Sequence, residues 1–233
     1  MLSDVMEDYL KAIYELQDDA GPPVSTSQVA DYLDVTPPTA TSMLEKLADR
    51  GFVDREKYKG VELTEEGETV ALEVLRHHRL LESYLTEHLD YDWSEVHDEA
   101  DVLEHHISEE FEQRVAEVLN DPAVDPHGDP IPDEDLAPPE CDDATCLSTI
   151  AVGETVEVVR VRDKDDEELR YLEDAGIAPG TVLRVTEVAP IGMIEVVVGD
   201  ETEHLPDRIA EMIRVRPVGS DDAYGAPEEV SEP

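Results

Sequence analysis

Apolar residues recur at helical spacing through the first 50 positions, with short breaks between the runs. Residues 3–19 form the first run, and its apolar positions are Val5, Tyr9, Ile13 and Leu16. The segment GPP ends it, and VSTSQVADYLDV then opens with a Ser/Thr helix-start signal and carries Val29 and Leu33 on one face. The pattern predicts two helices separated by a tight break.

The next segment, TPPTATSMLEKLADRGF, predicts a third helix. Pro37 and Pro38 suit a helix start, and Gly51 is a C-terminal stop. Its buried stripe would be Met43, Leu44 and Leu47. Two short helices with a tight connection form a helix-turn-helix. FVDREKYKGVELTEEG then predicts two short strands around Lys57–Gly60, so residues 1–65 are predicted to form a winged helix-turn-helix.

Along the rest of the chain, the pattern of apolar and polar residues changes twice. Residues 66–122 are predicted to be helical, with helices to His88, from near Trp93, and over 108–119. Residues 123–147 are rich in Pro and Asp and predict a linker, with His127 in it. In 148–218, TVEVVRVRD, TVLRVTEVAP and GMIEVVVGD alternate as strands do, with a helix at DDEELRYLEDAG, which predicts a small β-barrel. The acidic tail 219–233 is predicted to be disordered.

The acidic composition of the chain indicates the salt environment in which it folds. The chain has 60 acidic against 17 basic residues and a formal net charge of −43, yet the acids are spread through segments with clear apolar periodicity. This pattern favours a folded protein with an acid-coated surface in a cytoplasm near salt saturation, as in an extreme halophile. The sequence contains no 18-residue apolar run and begins with an amphipathic helix instead of a signal peptide, so we expect a cytoplasmic protein with no membrane partner.

Three of the eight histidines fall in one short stretch, VHDEADVLEHH. On a helix, His97, Asp101 and His105 lie at i, i+4 and i+8, with Glu104 beside them. The preceding helix offers a second pair at helical spacing, His78 and Glu82, and Asp8 is a possible donor from a third element. Two readings remain open on spacing alone: a solvated acidic face, or a site for a divalent first-row metal.

Several motifs, in order, resemble the diphtheria-toxin-repressor family of metal-dependent transcriptional regulators. They are MEDYLKAIYEL, PPTATSMLEKLADRG, YKGVELTEEG, HHRLLESYL, DWSEVHDEADVLEHHIS, HGDPIP and LRYLEDAGIAPGTVLRV. The resemblance implies a mainly α protein with β: an N-terminal winged helix-turn-helix, a helical metal-binding and dimerisation domain, and a C-terminal SH3-like β-barrel.

The resemblance also implies two metal positions. A primary, activating site would use Asp8, Asp101, Glu104 and His105. An ancillary site would use His78, Glu82 and His97, with Asp165 and Glu168 from the barrel. Iron-responsive members have sulfur ligands where this chain has Asp8 and Asp101, and hard oxygen donors suit manganese, so Mn²⁺ is the preferred cofactor and Fe²⁺ the alternative. Lys11 stands where the manganese branch has a glutamate, which places that branch's paired ions in doubt here.

The implied function is a repressor of metal uptake and homeostasis genes, which binds a palindromic double-stranded operator as a homodimer. Base contacts would come from Thr36, Pro38, Thr39, Thr41 and Ser42, and phosphate contacts from Lys46, Arg50, Lys57 and Lys59. The chain has no HExxH motif and no evident nucleophile–base pair, so we expect no enzyme activity. The alternative is a winged-helix regulator that senses a small ligand or the redox state of Cys141 and Cys146.

Overall fold

A computed structural model describes residues 2–56, 59–138, 143–162, 166–190 and 192–218. They divide into two compact units. The first is drawn from Met1–Tyr91, Val96–Asp125 and Pro130–Glu140, and the second from Asp92–Glu95, Pro126–Asp129 and Cys141–Pro233.

The first unit begins with a winged helix-turn-helix. Its elements are α1 (Asp4–Ala20), α2 (Thr26–Tyr32), α3 (Pro37–Asp49), β1 (Val53–Glu56) and β2 (Gly60–Leu63), with β1 and β2 paired antiparallel. Ser25 caps α2 in a capping box with Gln28, and Thr36 caps α3 ahead of its two prolines. The apolar spacing therefore predicted these helices correctly. In α1, Tyr9 and Ile13 are buried as expected, together with Met6 and Leu10, but Val5 is 52% exposed.

Three further helices complete the first unit: α4 (Glu65–Leu89), α5 (Val96–Leu103) and α6 (Glu109–Val118). Ser108 caps α6, and Thr64 caps α4. Ile131, from the segment predicted to be a linker, packs with Leu80 of α4 and Val115 of α6 in a small apolar cluster. Part of the predicted linker is therefore packed structure.

The start of α4 packs closely against residues 51–52, which follow α3. Thr64 donates its backbone N–H to the Phe52 carbonyl at 3.1 Å and its hydroxyl to the Gly51 carbonyl at 2.8 Å. A Cβ on Gly67 would lie 1.9 Å from the Phe52 oxygen, far inside van der Waals contact. Position 67 therefore needs a residue with no side chain.

The second unit is a six-stranded antiparallel sheet with the order β3–β8–β4–β5–β6–β7. The strands are β3 (Thr145–Cys146), β4 (Thr155–Val161), β5 (Val182–Ala189), β6 (Met193–Val198), β7 (Glu201–Pro206) and β8 (Ile213–Pro217), and the helices are α7 (Asp166–Asp174) and α8 (Asp207–Ala210). Alternate strand residues and α7 fill one apolar core. The predicted mixture of helical and SH3-like β regions is confirmed.

His127 was expected at the surface or in a linker, and this was wrong. It is fully buried, it hydrogen-bonds the Trp93 carbonyl through Nε2 at 2.9 Å, and its own carbonyl accepts from the Val161 N–H at 2.8 Å. The domain boundaries at 65, 122, 147 and 218 stay predictions, and the tail 219–233 and Cys141 lie outside the described residues. Within the described part of the chain, no helix is both long and apolar enough to span a bilayer.

Candidate metal centre and nucleic-acid interface

One candidate metal group joins the first helix of the winged domain to the turn that follows α5. The His105 Nε2 lies 2.9 Å from Asp8 Oδ1 and 3.4 Å from Glu104 Oε1. Ligand atoms of these three residues all lie within 4.8 Å of one another. Metal–ligand bonds of this kind are about 2 Å long, so opposite ligands lie about 4 Å apart, and two carboxylates with one imidazole fit a divalent first-row ion.

A second candidate group contains His78, His97 and Asp101, with ligand atoms inside the same 4.8 Å limit. The two rings are edge-on, with centroids 4.7 Å apart, and His78 Nε2 lies 3.1 Å from His97 Nδ1. Glu82, one turn along α4, is fully buried and places Oε1 2.9 Å from His78 Nε2 and 3.3 Å from His97 Nδ1. Imidazole and carboxylate donors from α4 and α5 thus converge here.

Lys11 lies between the two groups. Its ammonium donates to Glu104 Oε2 at 2.8 Å and to Asp101 Oδ1 at 2.9 Å, and it lies 3.0 Å from His78 Nδ1. The lysine side chain is 10% exposed and that of Glu104 is 1% exposed. Lysine is almost never buried without charged partners, and here both partners are candidate metal ligands.

These contacts hold the cluster in its ionised form. Burial alone would lower the pKa of Lys11, but the charges of Glu104, Asp101 and Glu15 raise it above its usual value. Burial alone would raise the pKa values of Glu104 and Asp101, but the hydrogen bonds from His78 and the charge of Lys11 lower both. Two charged carboxylates therefore remain available at neutral pH.

The two histidines shift the other way. Burial opposes the charged form of His78, yet Glu82, Asp101 and Glu104 raise its pKa well above the usual value. Burial likewise opposes the charged form of His105, but the hydrogen bond to Glu7 and the charges of Glu104 and Asp8 raise its pKa. At both histidines these shifts favour the protonated ring, and a metal competes with that proton for the ring nitrogen.

Seven predicted ligands lie close together, but their grouping differs from the expected one. Asp101, expected at the primary site, falls with His78 and His97, while Asp8, Glu104 and His105 form the other group. Asp101 reaches the second group because it stands one turn after His97 on α5, and its Oδ2 lies 3.5 Å from His97 Nε2. The assignment of each residue as a ligand stays a prediction.

Two of the predicted ligands come from the barrel. Glu168 lies in the second unit, and its carboxylate pairs with Arg208 at 2.7 Å. Asp165 lies outside the described residues. Sequence reasoning missed Glu7, whose Oε2 lies 2.8 Å from His105 Nδ1. Its position directly before Asp8 gave no signal, because helical neighbours normally face different directions.

The candidate DNA-reading face is the start of α3. Thr36, Pro38, Thr39 and Ser42 are exposed, and Thr41 is half-buried. The Thr36 hydroxyl accepts from the Thr39 N–H at 3.4 Å and lies 2.8 Å from the Thr39 hydroxyl. The two hydroxyls therefore order the helix start and remain exposed on a surface that a major groove could meet.

Basic residues flank this face. Lys46, Arg50 and Lys59 are exposed, and Lys57 lies outside the described residues. Sequence reasoning omitted Arg55 of β1, which donates to Glu45 of α3 at 2.8 Å and so joins the wing to the reading helix. The DNA-contacting roles predicted for Lys46, Arg50, Lys57 and Lys59 stay predictions.

Comparison with known proteins gives the family. The profile described as the iron dependent repressor N-terminal DNA binding domain matches residues 1–61, that of the metal binding and dimerisation domain matches 64–133, and the FeoA domain matches 145–217. The iron-dependent repressor IdeR of Mycobacterium tuberculosis H37Rv is 34% identical over 230 residues, which cover 93% of this chain and 99% of that protein. The chain belongs to the diphtheria-toxin-repressor family of metal-dependent transcriptional regulators.

Other family members support this placement. The diphtheria toxin repressor of Corynebacterium diphtheriae is 30% identical over 223 residues, covering 92% of this chain and 97% of that one. A solved structure of a manganese-dependent transcriptional repressor in complex with manganese is 38% identical, with a TM-score of 0.85 over 91% of this chain and all of that one. A crystal structure described as T. acidophilum IdeR is 26% identical, with a TM-score of 0.78 over 94% of this chain and all of that one.

The family bears on two alternatives from the sequence: enzyme or regulator, and metal or another signal. Its members are DNA-binding regulators, so this repressor is a regulator and not an enzyme. A metal-responsive family also favours metal over thiol or small-ligand sensing. In the described part of the chain, Cys146 is a half-buried free thiol, 2.9 Å from the Ser148 hydroxyl.

Proposed function

We propose that this protein represses metal uptake and homeostasis genes as a cytoplasmic homodimer, with a divalent metal as corepressor and a palindromic operator as target. The observation that carries the proposal is the contact between Asp8 of α1 and His105, 2.9 Å apart, beside the buried Glu104. The donors belong to two parts of the chain, the DNA-reading head and the dimerisation helices. A cation bound to all three would hold α1 against the turn after α5.

The ion would act by selecting one arrangement of the heads. A bound divalent ion supplies positive charge that Asp8 and Glu104 share, and this favours the arrangement in which α1 and the turn are close. A ligand shifts such an equilibrium only through unequal affinity for its two states, and a near-complete shift requires about 5.5 kcal/mol. Two heads fixed at one spacing can then enter successive major grooves of a two-fold symmetric duplex.

Manganese is the preferred ion. The donors in the Asp8 group are two carboxylates and one imidazole, with no sulfur ligand. Oxygen-rich sites suit Mn²⁺, and Fe²⁺ is the alternative because imidazole with carboxylate also binds it. One solved relative is described as a complex with manganese, and curated relatives are described as iron-dependent, so the family spans both.

The test is DNA binding with one metal at a time. Operator duplexes are selected from a randomised pool in Mn²⁺ and molar KCl, and binding is then measured after chelation with Mn²⁺, Fe²⁺ or Zn²⁺ restored singly. We expect binding to return with Mn²⁺ or Fe²⁺, and the selected sequences to have two-fold symmetry. Equal affinity in chelator and in every metal would contradict the corepressor mechanism.

Metal binding should release protons. Both ring nitrogens of His105 face carboxylates and its pKa is raised, so the charged ring stabilises the metal-free fold below its unfolded pKa, and this contribution is lost as the pH rises through the raised value. Ligation requires a neutral ring nitrogen. We therefore expect Mn²⁺ affinity to rise with pH. Calorimetry in buffers of different ionisation enthalpy measures the released protons.

The matched variants for this prediction are His105→Gln and His106→Gln. His106 is exposed and adjacent, so its replacement should leave proton release unchanged, whereas loss of His105 should reduce it. Mn²⁺ binding that is independent of pH between 6 and 8 would show that the histidines do not ligate.

Operator binding should depend on salt less steeply than in relatives from low-salt cytoplasms. Four candidate phosphate contacts in each head of a dimer, at about 0.9 each, give a slope of log K against log[salt] near −7. Lys46→Ala removes one contact from each head and should reduce the slope by about 2. Arg114→Ala, at an exposed α6 position, is the control and should leave the slope unchanged. A wild-type slope near −10 would contradict this count.

A further inference from the structure

Lys11 occupies a position that has the chemistry of a cation site. Two carboxylate oxygens and one imidazole nitrogen, from Glu104, Asp101 and His78, lie 2.8–3.0 Å from its Nζ. These are the donor types that bind divalent ions in proteins. An ammonium is a compact point charge with N–H donors, so it suits a position beside two carboxylate oxygens, and His78 Nδ1, which itself lies 2.6 Å from Glu104 Oε2, is its third neighbour.

The position is also shared between the two candidate metal groups. Glu104 belongs to the Asp8 group, and His78 and Asp101 belong to the His97 group. Lys11 touches all three and is itself buried. Its charge therefore lies where a third cation, bridging the two groups, would otherwise be placed.

We propose that Lys11 is a tethered cation that replaces an exchangeable ion between the two donor groups and keeps α1 joined to the end of α5 without metal. The inference rests on the proposed metal-dependent function and adds to it. A chelator can remove a bound ion but cannot remove a side chain, so part of the link between α1 and the α5 end persists in the metal-free protein. The side chain also excludes an ion from its own position, and this fixes the number of ions that each protomer takes up.

Two replacements separate the charge of Lys11 from the space that it fills. Lys11→Glu removes the ammonium and supplies two oxygen ligands, and Lys11→Leu removes the ammonium and supplies none. Ala20→Glu is the control, because it adds a carboxylate at an exposed position of the same helix. Mn²⁺ bound per protomer is counted by equilibrium dialysis in molar KCl with atomic emission detection.

We expect Lys11→Glu to bind one more Mn²⁺ per protomer than the wild type, and Lys11→Leu and Ala20→Glu to bind the wild-type number. An unchanged count in folded Lys11→Glu would overturn the proposal, and so would an extra ion in Lys11→Leu, since position 11 then supplies no ligand. A wild-type count of zero would instead overturn the proposed function.

The metal-free proteins provide a second test that does not need Lys11→Glu to fold. Amide hydrogen exchange is followed in chelator for residues 4–20 and 96–106 of the wild type, Lys11→Leu and Ala20→Glu. We expect exchange in the 96–106 segment to be at least 10-fold faster in Lys11→Leu than in the other two. Equal exchange in all three proteins would show that the ammonium does not hold α1 to α5.

Discussion

Glu104→Gln is expected to abolish the metal dependence of operator binding. Glu104 is buried at the centre of the cluster. Its two carboxylate oxygens contact Lys11, His78 and His105. Glutamine keeps the volume and one acceptor oxygen, but it removes the negative charge that a divalent ion would share. Allosteric coupling typically changes affinity by about 5- to 150-fold, and we expect the loss of that whole factor in Mn²⁺.

The measurement is operator affinity with Mn²⁺ and with chelator, for the wild type, Glu104→Gln and Glu109→Gln. Glu109 is exposed at the start of α6, so its replacement makes the same chemical change away from the cluster. A wild-type ratio of the two affinities in Glu104→Gln would contradict the assignment. Glu104→Ala is the harsher variant, because it leaves the Lys11 ammonium buried with one carboxylate partner fewer, at a typical cost of about 3–5 kcal/mol.

Gly67→Ala is expected to destabilise the protein, although alanine is the better helix former. In an exposed helix this replacement would stabilise by about 1 kcal/mol. Here the added methyl would lie 1.9 Å from the Phe52 carbonyl oxygen, which also accepts the Thr64 N–H. Overpacking typically costs about 1–3 kcal/mol, and backbone on the opposing side cannot rotate away as a side chain can, so we expect the upper end.

Thermal or denaturant unfolding in molar KCl measures this effect, with Thr69→Ala as the control. Thr69 is exposed in the next turn of α4, so its replacement raises helix propensity with no clash. If Gly67→Ala is as stable as the wild type or more stable, the packing of α4 against the Phe52 backbone is looser than the structure shows.

Local signals in the sequence predicted most of the helical fold. The Ser/Thr caps, the paired prolines at the start of α3 and the apolar spacing of α4 act within one or two turns, and a sequence displays such signals directly. The strands β3, β7 and β8 were not predicted. β7 is an edge strand with one neighbour, its residues are mostly polar, and only Leu205 in it is buried.

The candidate site was predictable as a set of residues and not as an arrangement. Helical periodicity fixes which residues share a face of a helix. The spacing along α4 and α5 therefore identified four candidate ligands, His78, Glu82, His97 and Asp101. The contact of Asp8 with His105 spans 97 positions, and neither propensity nor periodicity carries information at that range. Lys11 is buried between the two groups because α1 packs against the end of α5, which is again a long-range contact. From the sequence we expected only that Lys11 could not bind a metal, but in the structure it contacts three candidate ligands.

The C-terminal part of α1 is hydrogen-bonded to the β1–β2 hairpin. Gln17 accepts the backbone N–H of Leu63, at the end of β2, through its Oε1 at 2.9 Å, while Asp8 and Lys11 lie more than one turn earlier on the same helix. A 17-residue helix is about 25 Å long and behaves as a stiff rod. A change in the angle of α1 near Asp8 would therefore also displace the base of the β1–β2 hairpin.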